Sequence, residues 1–154
     1  MVAAAFILLA TSTQTSARIM EQKHSVPFKA TGKGNAIAVT GPPVLEIFVY
    51  GSGQATHMGN VIIWQHHYVN VITMTFYDGE FVWTAANGDK LLGTYYGSLV
   101  PAAEGFEIHG HFDIIGGTGR FESAVGGGVA SGMQYYVDNT AELRLDGTIT
   151  YGSR

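Results

Sequence analysis

The sequence predicts an all-β protein whose strands close into a single antiparallel barrel of about eight strands. Three observations support this prediction. Apolar and polar residues alternate with a period of two from residue 25 onward, as in strands that bury one face. Glycine-containing turn signals separate these runs at a spacing of roughly ten residues, which is typical of sandwiches and barrels. No stretch shows the apolar stripe of an amphipathic helix.

Nine runs have the composition and alternation of strands. In chain order they are Ser25–Ala30, Val44–Tyr50, His57–His67, Asn70–Tyr77, Glu80–Ala86, Asp89–Ser98, Gly105–Ile115, Gly126–Val137 and Thr140–Tyr151. Asp78-Gly79 and Asn87-Gly88 are typical of two-residue hairpin turns, so each is predicted to join the runs beside it.

The other breaks are predicted from residues that interrupt a strand. Thr31-Gly32-Lys33-Gly34 is expected to end the first run, and Gly51-Ser52-Gly53 the second. Gly41-Pro42-Pro43 interrupts the chain between them, because proline has no N–H to donate to a neighbouring strand. Residues 116–124 (GGTGRFESA) have room for one helical turn, and Phe121 is expected to pack back onto the core.

Composition excludes several classes of function. The net charge of −4 and the absence of any basic cluster argue against a nucleic-acid partner. The chain has no cysteine, so disulfides, thiolate catalysis and thiolate metal sites are excluded. Charged residues make up only 13% of the sequence, about half the share that is usual in a soluble domain.

The N-terminal segment has the features of a signal peptide. Val2–Ala10 is an uninterrupted apolar run, and a Thr/Ser-rich stretch leads to small residues that end at Ala17. The apolar run is too short to span a bilayer as a helix. We therefore expect residues 1–17 to be a signal peptide, residues 18–154 to be a single barrel domain, and the protein to be secreted or periplasmic rather than an integral membrane protein.

Three glycine-containing segments stand out together. They are Gly51–Gly59 (GSGQATHMG); Thr84–Asp89 (TAANGD) followed by Gly93-Thr94-Tyr95; and Ile114–Glu122 (IIGGTGRFE) followed by Gly126 and Asp146-Gly147-Thr148-Ile149. Together they resemble a group of small bacterial proteins with an allene-oxide-cyclase-like barrel. The third segment also resembles the Gly-Gly-Thr/Ser-Gly-x-Phe element of plant allene oxide cyclases and dirigent proteins.

This resemblance covers about residues 44–151. It implies an eight-stranded antiparallel barrel with an interior that can admit a hydrophobic ligand. Plant cyclases place a carboxylate and polar residues inside the barrel, whereas the early strand here reads Thr56-His57-Met58 and has no carboxylate. The resemblance therefore implies a fold without implying a mechanism.

One predicted strand concentrates ionisable side chains on a single face. Glu107, His109, His111 and Asp113 alternate along it and so point the same way. The opposite face is apolar, with Phe106, Ile108, Phe112 and Ile114. The polar face has three interpretations: a solvated outer face of the barrel, a site for proton chemistry or ligand contact, or a divalent metal site. We expect no metal or cofactor, and we place Glu107, His109 and His111 among the candidate ligand-binding residues.

Aromatic residues supply the remaining candidates for a ligand pocket. Trp64, His66, Trp83 and Tyr95 are predicted to contribute to its wall, although aromatic residues more often pack in a core or an interface. Alternation requires that only one of His66 and His67 faces the interior, and the same holds for Tyr95 and its neighbour Tyr96.

Three functions are compatible with these observations. The leading hypothesis is an exported barrel that binds a small hydrophobic molecule in its lumen. The alternatives are a cyclase or isomerase that shapes a reactive lipophilic substrate there, and a self-associating structural protein with a filled lumen. Low charge, many apolar strand positions and the trimers among the proteins it resembles also predict a homo-oligomer, either dimer or trimer.

Overall fold

Eight antiparallel strands form a closed barrel in the computed structural model, which describes residues 24–152. Each strand pairs with its neighbours in sequence, and β1 pairs with β8 to close the barrel. The predicted fold class is therefore confirmed. The strands are β1 (Val26–Ala38), β2 (Val44–Ala55), β3 (Gly59–Asn70), β4 (Thr75–Ala85), β5 (Lys90–Pro101), β6 (Gly105–Gly117), β7 (Val125–Tyr135) and β8 (Thr140–Thr150).

Period-two alternation sets which side chains enter the barrel. On β3, Val61 and Ile63 are buried, whereas Ile62 between them is 69% exposed. The closing pair β1–β8 is in register at Ala30 and Leu145, and both of these side chains are buried. The interior therefore takes its side chains from one face of each strand.

Several glycines that suggested turns lie inside strands instead. The first predicted run continues through Gly32 and Gly34 to Ala38, and β2 continues through Gly51 and Gly53 to Ala55. Gly34 of β1 pairs with Gly51 of β2. A Cβ added at Gly51 would lie 2.1 Å from the backbone oxygen of Lys33, which is too close for any side chain. These glycines allow two strands to approach closely, which is the other common role of glycine in a sheet.

Asp78-Gly79 is also not a hairpin. It lies within β4. His66 of β3 pairs with Glu80 and Tyr68 pairs with Tyr77, so the single residue His67 is opposite both Asp78 and Gly79. Two residues opposite one define a β-bulge. The predicted strand Asn70–Tyr77 is correspondingly wrong, since residues 71–74 form the turn between β3 and β4.

Asn87-Gly88 does form the predicted turn. It lies between β4 and β5, where Gly88 has a φ of 87° and its N–H bonds the carbonyl oxygen of Ala85. This positive φ favours glycine. With one hairpin confirmed and the other replaced by a bulge, the nine predicted runs become eight strands.

The lumen has a packed half and an open half. The turns 56–58 and 86–89 and the β6–β7 connection lie at one end, which we call the closed end. There Phe28, Trp83 and Leu91 pack with Val61, Ile63 and other buried residues, and with Phe121 from the 3-10 turn Gly119–Phe121. We call this group the packed cluster. Phe121 is fully buried, as expected from the sequence. The turns 71–74 and 136–139 lie at the other end, the open end.

In residues 24–152, no helix is long and apolar enough to cross a membrane. The predicted signal peptide at residues 1–17 lies outside the described residues, and export therefore stays a prediction. The predicted 18–154 domain is described from residue 24 to residue 152.

Candidate functional site

A cavity of about 310 Å³ occupies the open half of the lumen. Its volume falls at the lower end of the range of small-molecule pockets, which is roughly 300–1,000 Å³. All eight strands contribute to its wall, and the lining is mainly aliphatic and aromatic. None of the lining residues is Asp, Glu, Lys or Arg.

Five polar side chains line the wall, of which Gln134 and Asn139 lie toward the open end and Gln65, His67 and Tyr95 lie deeper. On β3, Val61 and Ile63 belong to the packed cluster, and Gln65 is the next inward-facing residue. His67 follows two positions further toward the open end, about 7 Å along the strand. Tyr95 of β5 also lies on the wall, and its hydroxyl contacts His67 past the intervening strand β4.

The His67 ring and the Tyr95 hydroxyl form a buried pair. The Tyr95 oxygen lies 2.7 Å from Nδ1 of His67 and 3.4 Å from the carbonyl oxygen of His66. Burial, with a smaller contribution from the charge of His66, lowers the pKa of His67 to about 4. Burial also raises the pKa of Tyr95. Both groups are therefore neutral at pH 7, and the pair acts through hydrogen bonds rather than charge.

The β4 bulge makes room for this pair. Gly79 pairs with Tyr95, and a Cβ added at Gly79 would lie 2.4 Å from the Tyr95 backbone oxygen and 2.7 Å from its ring. The missing side chain lets the Tyr95 ring lie against β4, from which its hydroxyl reaches His67. β-Bulges often aim side chains in this way beside functional sites.

In the deep part of the cavity, Gln65 and His67 each have a hydrogen-bonding group without a partner among residues 24–152. Gln65 is 8% exposed, and its amide makes no hydrogen bond within residues 24–152. The hydrogen bond of the His67 side chain uses Nδ1, which leaves Nε2 free. Buried polar groups are nearly always paired. A free amide and a free ring nitrogen in an apolar cavity are therefore suited to a ligand with a polar group.

Of the predicted pocket residues, Tyr95 lies in the cavity wall. Trp83 faces the interior, but it is fully buried in the packed cluster at the closed end and does not line the cavity. Its predicted place in the wall is therefore corrected, because the indole fills the lumen below the cavity. Its Nε1 has no hydrogen-bond partner among the residues that the structure describes.

Trp64 and His66 lie on the outside of the barrel. They share a face of β3 with Tyr68 and contact Phe48 of β2; Tyr68 stacks on Tyr77 of β4. We call these five residues the outer aromatic patch. His66 Nε2 lies 3.0 Å from a carboxylate oxygen of Glu46. The expectation that Trp64 and His66 line the lumen is wrong, because His67 and its face of β3 occupy the interior.

Glu107, His109 and His111 also point outward. His109 Nε2 lies 3.2 Å from Glu107 Oε2, and both side chains are at least half exposed. Phe112 and Ile114 on the opposite face are buried in the core, so the apolar face takes the interior. The predicted lumen position of the histidine strand is therefore corrected. Within residues 24–152, no group of three or more His, Asp or Glu side chains is arranged to hold a metal ion.

Comparison with known proteins identifies no family for the chain. A scan against protein-family models finds no match, and searches of curated proteins and of solved structures find no significant match. The allene-oxide-cyclase-like resemblance therefore stays a prediction.

Proposed function

We propose that the protein binds a small, largely apolar molecule in the open half of the barrel. The main support is the cavity of about 310 Å³, whose apolar wall carries a free amide at Gln65 and a free ring nitrogen at His67. Apolar surface supplies affinity in such pockets, and a few polar groups set the orientation of the ligand. The open cavity also favours binding over a purely structural barrel with a filled lumen.

The chemistry of the buried pair favours binding over catalysis. A general acid or base works best with a pKa near the operating pH. Burial lowers the pKa of His67 to about 4 and raises that of Tyr95, so neither group is well suited to proton transfer at neutral pH. A cyclase or isomerase would have to act mainly by shaping its substrate, and we therefore propose a binding protein.

Titration with the uncharged fluorescent probe N-phenyl-1-naphthylamine tests this proposal. The wild-type protein is expected to bind the probe with a blue-shifted, saturable emission. Ala36→Phe places a ring in the cavity and is expected to weaken binding at least tenfold, because Ala36 lines the cavity wall.

Ile37→Phe is the matched control. Ile37 is the next residue on β1, but its side chain is 52% exposed on the outer face. The control should bind the probe as wild type does. Absence of saturable binding to wild type, or equal binding by A36F and I37F when both are folded, would refute a lumen site.

A further inference from the structure

The cavity offers no charge to a ligand. Its lining has no Asp, Glu, Lys or Arg, and its imidazole is neutral at pH 7 because burial lowers the pKa of His67 to about 4. A carboxylate that entered the cavity would leave water without meeting a cation. Burying an ionised group in this way is costly, whereas burying a hydrogen-bonded hydroxyl or carbonyl is not.

Gln65 and His67 lie deep in the cavity, whereas the amide side chains of Gln134 on β7 and Asn139 in the β7–β8 turn lie toward its mouth. Gln65 adjoins the packed cluster on β3, and His67 follows it, whereas Val71 and Met74 of the β3–β4 turn line the open end. A ligand that bonds Gln65 and His67 must therefore point its polar group inward. Its hydrocarbon portion would then contact the apolar wall toward the mouth.

The free groups match an uncharged oxygen. The amide of Gln65 offers both donors and an acceptor. The free Nε2 of neutral His67 is a donor when Nδ1 accepts the Tyr95 hydroxyl, and an acceptor when Nδ1 donates to it. Together they can pair either with a hydroxyl, which donates and accepts, or with a carbonyl, which only accepts.

Building on the proposed function, we infer that the lumen selects uncharged amphiphiles such as aliphatic alcohols and ketones over the corresponding carboxylates. The oxygen of the ligand bonds Gln65 and His67, and its chain points toward the open end.

Competition against N-phenyl-1-naphthylamine at pH 7.5 tests the selectivity with three eight-carbon compounds. We expect 1-octanol and 2-octanone to displace the probe at concentrations at least tenfold lower than octanoate, because only octanoate must be buried as an ion. Equal displacement by octanoate would overturn the inference, and it would also be the result if the carboxylate bound tail-first with its charge at the mouth. The proposed function would survive that result, but it would fail if the probe itself did not bind.

Variants test the two anchors. Gln65→Leu keeps an apolar side chain of similar size and is expected to weaken octanol and octanone about fivefold to tenfold, the loss typical of one hydrogen bond. Probe affinity should change less than twofold. His67→Asn removes Nε2 and should act in the same direction, which keeps the test available if Q65L does not fold.

His66→Gln is the control, since His66 lies on the outer face beside His67. It should leave both probe and octanol affinities unchanged. Octanol binding that is unchanged in folded Q65L and H67N, or that falls equally in H66Q, would overturn the assignment of Gln65 and His67 as anchors.

Discussion

Adjacent residues on β3 have opposite roles because a strand alternates its faces. His66 lies outside, in contact with the Phe48 ring and 3.0 Å from Glu46, whereas His67 lies inside against Tyr95. The sequence shows that the two rings must point apart, but both faces of the run carry apolar residues. Alternation alone therefore could not identify the interior histidine, and the choice of His66 was wrong.

Protonation of His67 should weaken the fold in mild acid. Its folded pKa of about 4 lies below the value of 6.5 expected when unfolded, so the unfolded chain binds the extra proton first. This contribution to stability is fully present above pH 6.5 and is lost as the pH falls toward 4. A shift of this size corresponds to about 3 kcal/mol in the free energy of unfolding.

Urea unfolding at pH 7 and pH 4, for wild type and His67→Gln, isolates this effect from the carboxylates that also titrate in acid. We expect the loss of stability between the two pH values to be smaller in H67Q by about 2–3 kcal/mol. The same pH dependence in both proteins would show that His67 is not held neutral by burial.

Among the strands, the bulge in β4 is the feature that positions Tyr95 on the cavity wall. Asp78-Gly79 has the composition of a hairpin turn and by itself predicts a hairpin. The structure uses the same dipeptide to insert one extra residue opposite His67, with Asp78 at a φ of 49°. Local composition gives a tendency to turn, but long-range pairing decides whether that tendency becomes a hairpin or a bulge.

Gly79→Ala tests the role of the bulge. The added methyl group would lie against the Tyr95 ring and backbone, so we expect a destabilisation of about 1–3 kcal/mol, typical of overpacking. Displacement of Tyr95 should also weaken probe binding. Thermal unfolding and probe titration measure the two effects.

Gly41→Ala is the matched control, because a Cβ there meets no atom within 4 Å. It should leave stability within about 0.5 kcal/mol of wild type, as is usual for surface substitutions. Equal effects of G79A and G41A would mean that the contact between the bulge and Tyr95 has no special importance.

For the whole molecule, the sequence predicted the architecture better than the site. Alternation and turn spacing were sufficient for a closed antiparallel barrel, because every strand must bury one face. They did not show where the lumen is filled. That depends on which side chains meet across the barrel, such as Phe28 with Phe112 at 6.0 Å, and these residues are 84 positions apart in sequence. The cavity and the positions of Gln65 and His67 on its wall arise from such long-range packing.

Exposed apolar side chains on the outer surface support the predicted association into a dimer or trimer. The outer aromatic patch on β2, β3 and β4 continues into Tyr50 and Ile62, which are 52% and 69% exposed. Their backbones are adjacent, since Tyr50 pairs with Trp64 and Ile62 pairs with Ser52. A contiguous exposed apolar surface of this kind is typical of an interface.

We predict that a second copy of the chain covers this surface. Light scattering at micromolar concentration should give two or three times the mass of the chain. Ile62→Lys should shift the protein toward monomer, because burying an unpaired ammonium in the interface is unfavourable. Val137→Lys is the control, since Val137 is 95% exposed in the β7–β8 turn, away from the patch, and should not change the mass. A monomer mass for wild type would refute the association, and an unchanged oligomer in folded I62K would place the interface on another face of the barrel.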